Sequence, residues 1–285
     1  MVNVQEWLDR EYPNKEKVEK IAFNEGKEIY LKKETDLELD GELVVADYPN
    51  LKTLYIVRTR LTNLKIVNCP QLEQLICCGN QLTSLDCSQF NQLFSIVCHK
   101  NLLTNIKLPN NTTKLRKLWL YENNFNQDLS IFSKFTKLKE LNIDDNNFYG
   151  SLKPLKDLEI LDLLSICHTN IDSGLEYLPE STRRFFCDCW CSTFYSQCEN
   201  PEAKIEIIKA QLVPYNGSYQ TWRKDNQELI MKVRITGLTR EQELVELNSI
   251  LAKQLLKAQT DLQNKETELV NLRKQLETKI EVPPK

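Results

Sequence analysis

No stretch of this sequence approaches the roughly 20 consecutive apolar residues that a membrane helix needs, so no span is expected. The N-terminus, MVNVQEWLDREYPNKEK, carries charge by residue 6 and has no apolar core. That argues against an ordinary signal peptide, and the expected location is cytoplasmic. An excess of positive charge is missing too: 37 Lys and Arg stand against 40 Asp and Glu, for a net charge of −3. No global basic field therefore attracts nucleic acid or anionic lipid. Neither G-x(4)-G-K-[ST] nor G-x-G-x-x-G occurs, so the backbone cradles that hold nucleotide phosphates are lacking and no cofactor is expected. What remains is an ordinary soluble balance, 41% hydrophobic and 27% charged, in 285 residues, enough for one large domain or two modest ones.

Ten cysteines are present. Without an export signal, the default is reduced thiols acting as small buried hydrophobes rather than disulfides. The Asn-x-Ser/Thr sequons at Asn110, Asn111 and Asn216 are set aside for the same reason.

Aligning the chain on itself gives LKTLYIVRTRL from 51, LEQLICCGNQL from 72, LFSIVCHKNLL from 93, LRKLWLYENNF from 115 and LKELNIDDNNF from 138. The steps are 21, 21, 22 and 23 residues. A sixth block is read from Leu158 with three residues inserted, and STRRFFC, 181 to 187, is a degenerate seventh. Within a short strand, positions 4 and 6 face inward and positions 3, 5 and 7 outward. Ile56, Cys77, Cys98, Leu120 and Ile143 fill position 6, so a thiol substitutes there for an aliphatic side chain. Position 9 carries Asn80, Asn101, Asn123 and Asn146, amides that must be satisfied if buried and that can bond the turn of a neighbouring coil.

The pattern L-x-x-L-x-(L/I/C)-x-x-(N/T)-x-(L/F) resembles that of leucine-rich-repeat proteins over about residues 29 to 187. The resemblance implies an α/β fold: a right-handed solenoid with a curved parallel β-sheet on its concave face and turns or 3₁₀ segments on the convex side. The stretch NNFYGSL, 146 to 152, is similar to plant receptor repeats. The order of parts, with EWLDREYP ahead of the repeats and a coil behind them, has the texture of intracellular fungal leucine-rich-repeat proteins.

Residues 3 to 22 read as short amphipathic helices burying Trp7, Leu8, Val18 and Ile21, and 201 to 215 and 218 to 233 read as helices at the other end. From 239 to 280 there is neither Gly nor Pro. Leu255, Leu262, Leu269 and Leu276 recur every seven residues, with Leu244, Leu251, Ala258, Lys265 and Leu272 in the offset series and Asn248 also in the seam. This is a coiled-coil seam, with homodimer and heterodimer both open. An amphipathic helix folded back on the solenoid is the alternative. The expected domains are a helical N-terminal cap (1–28), the solenoid (29–190), a helical cap or linker (191–238), the coiled coil (239–280) and a tail (281–285).

Three places could carry chemistry. The outward stripes put Tyr55, Ile76, Val97, Trp119 and Asn142 at position 5, with His99, Tyr121 and Asp144 at position 7. This is an apolar and aromatic patch that turns acidic at Glu140, Asp144 and Asp145, and such patches mark interfaces. The expectation is a groove for an apolar segment with basic residues toward the acidic end, the alternative being a cover in cis. Cys78 and His99 fall on adjacent strands about 5 Å apart, without a third group to orient a reactive pair. Cys187, Cys189, Cys191 and Cys198, with His168, are candidate zinc ligands, but C-x-C-x-C is not the usual C-x₂-C knuckle and Cys187 fits an inward position, so no metal site is assigned. A DNA-binding zipper is rejected, since KVRITGLTREQE is no basic helix.

The functional expectation is a non-enzymatic scaffold that binds a protein or peptide on the concave face and dimerises through the coil. No nucleic acid or membrane partner is expected. The alternatives are an adaptor or regulatory subunit of a signalling enzyme, such as a GTPase regulator or ubiquitin-ligase receptor, and a zinc or redox sensor using the thiols of 187 to 198.

Overall fold

The computed structural model describes residues 2–23, 39–187, 211–212, 217–227, 230 and 240–280. The chain falls into two units, Met1–Lys209 and Ala210–Lys285.

The first unit is a parallel-sheet solenoid of the leucine-rich-repeat type. Its long sheet has eight strands in chain order: Lys20–Phe23, Thr53–Ile56, Gln74–Ile76, Ser95–Val97, Lys117–Trp119, Glu140–Asn142, Leu163–Ser165 and Arg184–Phe186. Each pairs with the next in the register set by the repeat, Gln74 with Ser95, Ser95 with Lys117 and Lys117 with Glu140. Leu54, Leu75, Ile96, Leu118 and Leu141 at position 4, and Ile56, Cys77, Cys98, Leu120 and Ile143 at position 6, are completely buried. Each fully buried aliphatic side chain contributes on the order of 1.5–3 kcal/mol.

The sixth block begins at Leu161, not Leu158. Leu163–Ser165 pairs with Glu140–Asn142, which makes Leu161, Leu164 and Ile166 the inward positions and removes the insertion. Leu158 takes the place that Phe135 holds one coil earlier: each closes a turn onto the residue three before it, Phe135 N–H to Phe132 and Leu158 N–H to Leu155. The spacing Leu158-x-x-Leu161 mimics the start of a block, which is why sequence alone misplaces it. The degenerate seventh block is in register, with Thr182 and Phe185 at positions 1 and 4 and Cys187 buried at position 6.

The N-terminal end also departs from expectation. Val4–Glu11 is a helix capped by Asn3, whose side chain accepts from Gln5 N–H and Glu6 N–H. The second expected helix is instead a 3₁₀ turn, Lys15–Lys17, followed by the strand Lys20–Phe23. Val18 and Ile21, three apart, suit a helix face and suit positions 1 and 4 of a coil equally well. The sheet therefore begins inside the segment 1–28 assigned to a helical cap. The Tyr12 hydroxyl accepts from Ala22 N–H (3.1 Å) and lies 3.4 Å from Ala22 O, which occupies main-chain groups of this terminal strand.

The far side of the coils carries short parallel strands and 3₁₀ turns. Leu39–Ala46 pairs with Leu61–Val67 and Val2–Asn3. Ser84–Asp86 pairs with Asn105–Lys107, and Tyr149–Ser151 with Asn170–Ser173. The 3₁₀ turns are Leu129–Phe132, Lys153–Leu155 and Leu175–Tyr177.

Two features of each coil are coupled. Position 8 is left-handed in six successive blocks, at Arg58, Gly79, Lys100, Glu122, Asp145 and His168, with φ between 51 and 70°. Only Gly79 adopts this without steric cost. The turn brings position 9 back into the interior, where the four asparagines form a ladder. Asn101 shows the pattern: Oδ1 accepts from Leu82 N–H of the preceding coil (3.1 Å), and Nδ2 donates to Cys77 O of that coil and Cys98 O of its own (both 3.0 Å). Asn80, Asn123 and Asn146 repeat it. Thr59 and Thr169 hold the position at the two ends.

In the second unit, Tyr219–Asp225 is a helix capped by Ser218, with Trp222 buried, and Arg240–Ile280 is one continuous helix of 41 residues. Most of the expected 201–215 helix and all of the 281–285 tail lie outside the described residues. No helix of the described residues is long and apolar enough to cross a membrane.

Asn101→Ala leaves the buried Leu82 N–H without its acceptor and removes one of the two amide donors to each of the Cys77 and Cys98 carbonyls, which keep those of Asn80 and Asn123. We expect a loss of about 1–3 kcal/mol in urea unfolding, with Asn101→Asp no better because it removes the two donated bonds.

Candidate binding face

The outer face of the long sheet is built from fewer positions than alternation alone suggests. Positions 3 and 5 lie within the strands. Position 7 lies past the strand end, just before the left-handed residue, and its column is buried: Val57, Cys78, His99 (1% exposed) and Tyr121 (5%). The His99 ring stacks on the Tyr121 ring at 4.0 Å and 11°, and Trp119 stands 6.4 Å from each. His99 and Tyr121, expected as outward contact residues, are thus part of the packing beneath the face. The reason is geometric: period-two alternation holds only while the backbone stays extended. Of the other expected contacts, Tyr55, Ile76, Trp119 and Asn142 are partly exposed and Val97 is 9% exposed.

The acidic end is committed internally. Glu140 lies 3.5 Å from Lys117 and 3.6 Å from Arg184. Asp162 takes Arg183 and Arg184, each at 2.7 Å. Asp145 meets His168 Nδ1 at 2.8 Å. Asp144, at position 7, accepts from the Ser165 hydroxyl (2.7 Å) and Cys167 N–H (2.6 Å). Burial nonetheless pushes its carboxyl up to about 7, with those two bonds opposing the shift. An acidic terminus waiting for basic residues is therefore not what the face offers, because its carboxylates already have partners in neighbouring coils. Lys117 Nζ sits 3.5 Å over the Trp119 ring and so joins the aromatic part of the face to this chain of charges.

Cys78 and His99 do not form a reactive pair. Burial pushes the Cys78 thiol up to about 11. Burial, with Lys100 and Lys117 nearby, pushes His99 down to about 3, so both are neutral at pH 7. The two His99 ring nitrogens and Trp119 Nε1 are buried without a hydrogen-bond partner among the described residues. Among the described residues no group of three or more His, Cys, Asp or Glu could hold a metal ion. Cys189, Cys191 and Cys198 lie outside the described residues, and His168 is turned to Asp145.

Sequence reasoning missed the left-handed column and its pairing of Lys100 with Glu122 at 3.4 Å, because no residue type marks position 8. It also missed Arg184, which falls on position 3 only when the seventh block is phased on Thr182.

No family model and no curated protein matches the sequence. Among solved structures, the chain is similar to a plant peptide hormone receptor, RGFR1, in complex with RGF2, at 21% identity and a TM-score of 0.43. It is also similar to a TDR receptor, at 17% identity and a TM-score of 0.30. The matches cover 53% and 47% of this chain, but only 28% and 34% of those structures.

The neutral His99 makes a prediction about pH. Its folded value lies below its ordinary 6.5, so between about 3 and 6.5 the unfolded chain binds a proton that the folded chain does not, and stability falls as pH drops through that window. Asp144 acts oppositely: its raised value makes the folded chain gain stability as pH falls from about 7 toward 3.8. His99→Phe keeps a ring against Tyr121 and removes two unpaired nitrogens. We expect it to equal or exceed the parent in urea unfolding at pH 7, by up to about 1–3 kcal/mol, and to lose less stability than the parent between pH 6.5 and pH 4.5.

Proposed function

We propose that this chain is a non-enzymatic scaffold that takes a protein or peptide against the outer face of the long sheet, and that its C-terminal helix joins it to a second chain. The observation that carries the first half is the position-5 column. Tyr55, Ile76 and Trp119 stand partly exposed on consecutive and near-consecutive strands with Val97 among them, where a merely solvated sheet face would alternate to polar residues. Position 3 beside it carries Thr53, Gln74 and Ser95, which add hydroxyl and amide groups along an uncharged stretch, and Lys117 and Glu140 begin the charged stretch. A partner with an apolar segment flanked by polar rather than strongly basic residues suits this surface, since the acids beyond it are already paired. Aromatic anchors of this kind dominate binding energy at protein interfaces.

The reading places the protein in a reducing compartment, the cytoplasm. Cys69, Cys77, Cys78, Cys87 and Cys98 are free and buried, and burial raises all five thiols, as suits thiols used for packing.

The test compares affinity capture by the parent, by Tyr55→Ser/Trp119→Ser, and by a chain ended after residue 238, with quantitative mass spectrometry. Tyr121 is left intact because it is buried and stacked on His99. A prey bound through the sheet is expected to drop at least about tenfold with the double substitution, the effect of losing roughly 1.4 kcal/mol or more of anchor energy, while persisting with the shortened chain. Prey lost only on shortening would move the binding function to the C-terminal helix.

A further inference from the structure

Four cations stand together where the chain enters two neighbouring strands of the long sheet, and no carboxylate answers them. Lys114 and Lys137 immediately precede position 1 of the fourth and fifth blocks, and Arg116 and Lys139 hold position 2. The same two places carry Gln92 and Phe94 on one side and Ile160 and Asp162 on the other. Asp162 is already taken by Arg183 and Arg184, each at 2.7 Å. Lys114, Lys137 and Lys139 are exposed and make no ion pair among the described residues, nor does Glu159, exposed one block on. Arg116 is fixed without an anion: its Nη1 donates to the carbonyls of Thr113 (3.0 Å) and Lys114 (3.1 Å) and to that of Lys137 on the next coil (3.3 Å).

The fold gains nothing from this placement. Residues at one position of adjacent strands lie about 5 Å apart, and like charges set opposite one another are unfavourable. The chain as a whole carries a net charge of −3, so these four cations run against its own balance. Stability would be served as well by glutamine at 114, 137 and 139.

We infer that the partner taken by the sheet face is acidic: an extended peptide segment whose apolar side chains lie on the position-5 column and whose Asp or Glu residues meet Lys114, Arg116, Lys137 and Lys139. This rests on the sheet half of the function proposed above and names the chemistry of its partner.

The spacing joins the two halves of such a ligand. Trp119 follows Arg116 by three residues, about 10 Å of extended chain, so a carboxylate about three residues from an apolar anchor at Trp119 reaches the cations. Lys117, between them, already has the Trp119 ring and Glu140, each at 3.5 Å, so the cations left for a ligand are those at the strand entry. A guanidinium held in place by carbonyls suits a carboxylate, which accepts from its fork of N–H groups. A long polyanion suits the surface less well. The free cations span only two blocks, the next carries Asp162 and Glu159, and nucleic acid or an anionic membrane would meet the chain's own negative charge.

The experiment is selection from a random dodecapeptide display library at low ionic strength, on the full chain, on Lys114→Gln/Lys137→Gln/Lys139→Gln and on Tyr55→Ser/Trp119→Ser. Recovered peptides are then labelled and titrated against all three chains, beside phosphatidylserine vesicles and single-stranded RNA. The parent is expected to enrich sequences with Asp or Glu within about three positions of aromatic or aliphatic residues. The lysine variant is expected to bind them with a Kd raised about tenfold or more and with a weaker dependence on salt, and the Tyr55/Trp119 variant is expected to lose them as well. In urea unfolding the lysine variant is expected to equal or exceed the parent, since it removes like charges; a lower midpoint would give the lysines a structural role and overturn the inference. Enriched peptides that are apolar without an acidic bias, or acidic peptides that the lysine variant binds as tightly as the parent, overturn the inference and leave the proposed face standing. If no enriched peptide depends on Tyr55 and Trp119, the inference and the proposed face fall together. Lysine-dependent binding of the vesicles or the RNA that exceeds that of every selected peptide overturns the peptide class.

Discussion

The asparagine ladder is the constraint on which the solenoid turns. Each coil must leave its strand of three or four residues and double back, and it does so through a left-handed residue at position 8. For arginine, lysine, glutamate, aspartate or histidine that conformation costs about 1–2 kcal/mol per residue. The cost is met at once from two sources. The position-8 N–H bonds the position-7 carbonyl of the next coil, as Lys100 N does to Tyr121 O and Glu122 N to Asp144 O. The turned-in amide at position 9 then bonds main-chain groups of its own coil and the one before. Neither source works in a single coil. The left-handed turn is stable only because the neighbouring coil makes the same turn, which is how a repeat too small to fold alone becomes cooperative.

The same turn decides what the protein can show to a partner. By bending the chain after position 7, it withdraws that column from the face and converts His99 and Tyr121 from contact residues into a stacked pair below it. Two columns remain. At one end they are hydroxyl, amide, aliphatic and aromatic. At the other, position 3 carries Lys117, Glu140 and Arg184, which with Asp162 and Arg183 at position 2 form paired charges held by contacts of 2.7 to 3.6 Å. Exposed pairs of this kind add little stability individually. Their effect is to discharge one end of the face, leaving the uncharged end as the surface where burial by a partner costs least.

Much of this was legible in the sequence, and the boundary of legibility has a physical cause. Five blocks and their inward residues could be read because burial at positions 1, 4 and 6 imposes a composition. The amides at position 9 could be read because only Asn satisfies two coils at once. Where a coil is apolar at extra places, phase is lost, as at Leu158. Where a coil begins with Val18 and Ile21, its spacing is shared with a helix. The left-handed column leaves no signature, since its conformation is imposed by neighbours and tolerated by five charged or titratable residue types and one glycine. The salt links depend on register between strands 21 to 23 residues apart, as with Arg184 and Asp162 across 22, which no local pattern encodes. The helix Arg240–Ile280 was plain from its leucines and from the absence of Gly and Pro.

The ladder also sharpens the meaning of what is left unsatisfied. Within the coils, backbone and amide groups are paired so regularly that His99 and Trp119 stand out: their ring nitrogens are buried without partners among the described residues, on neighbouring strands in the middle of the sheet. A leucine at 99 would fill the volume without that cost, so packing alone does not account for the histidine. A neutral imidazole does stack on Tyr121, with Trp119 tilted 6.4 Å from both rings, so the three rings pack as one cluster. The unfavourable burial of two ring nitrogens is then set against the ring packing that His99 makes with Tyr121 and Trp119.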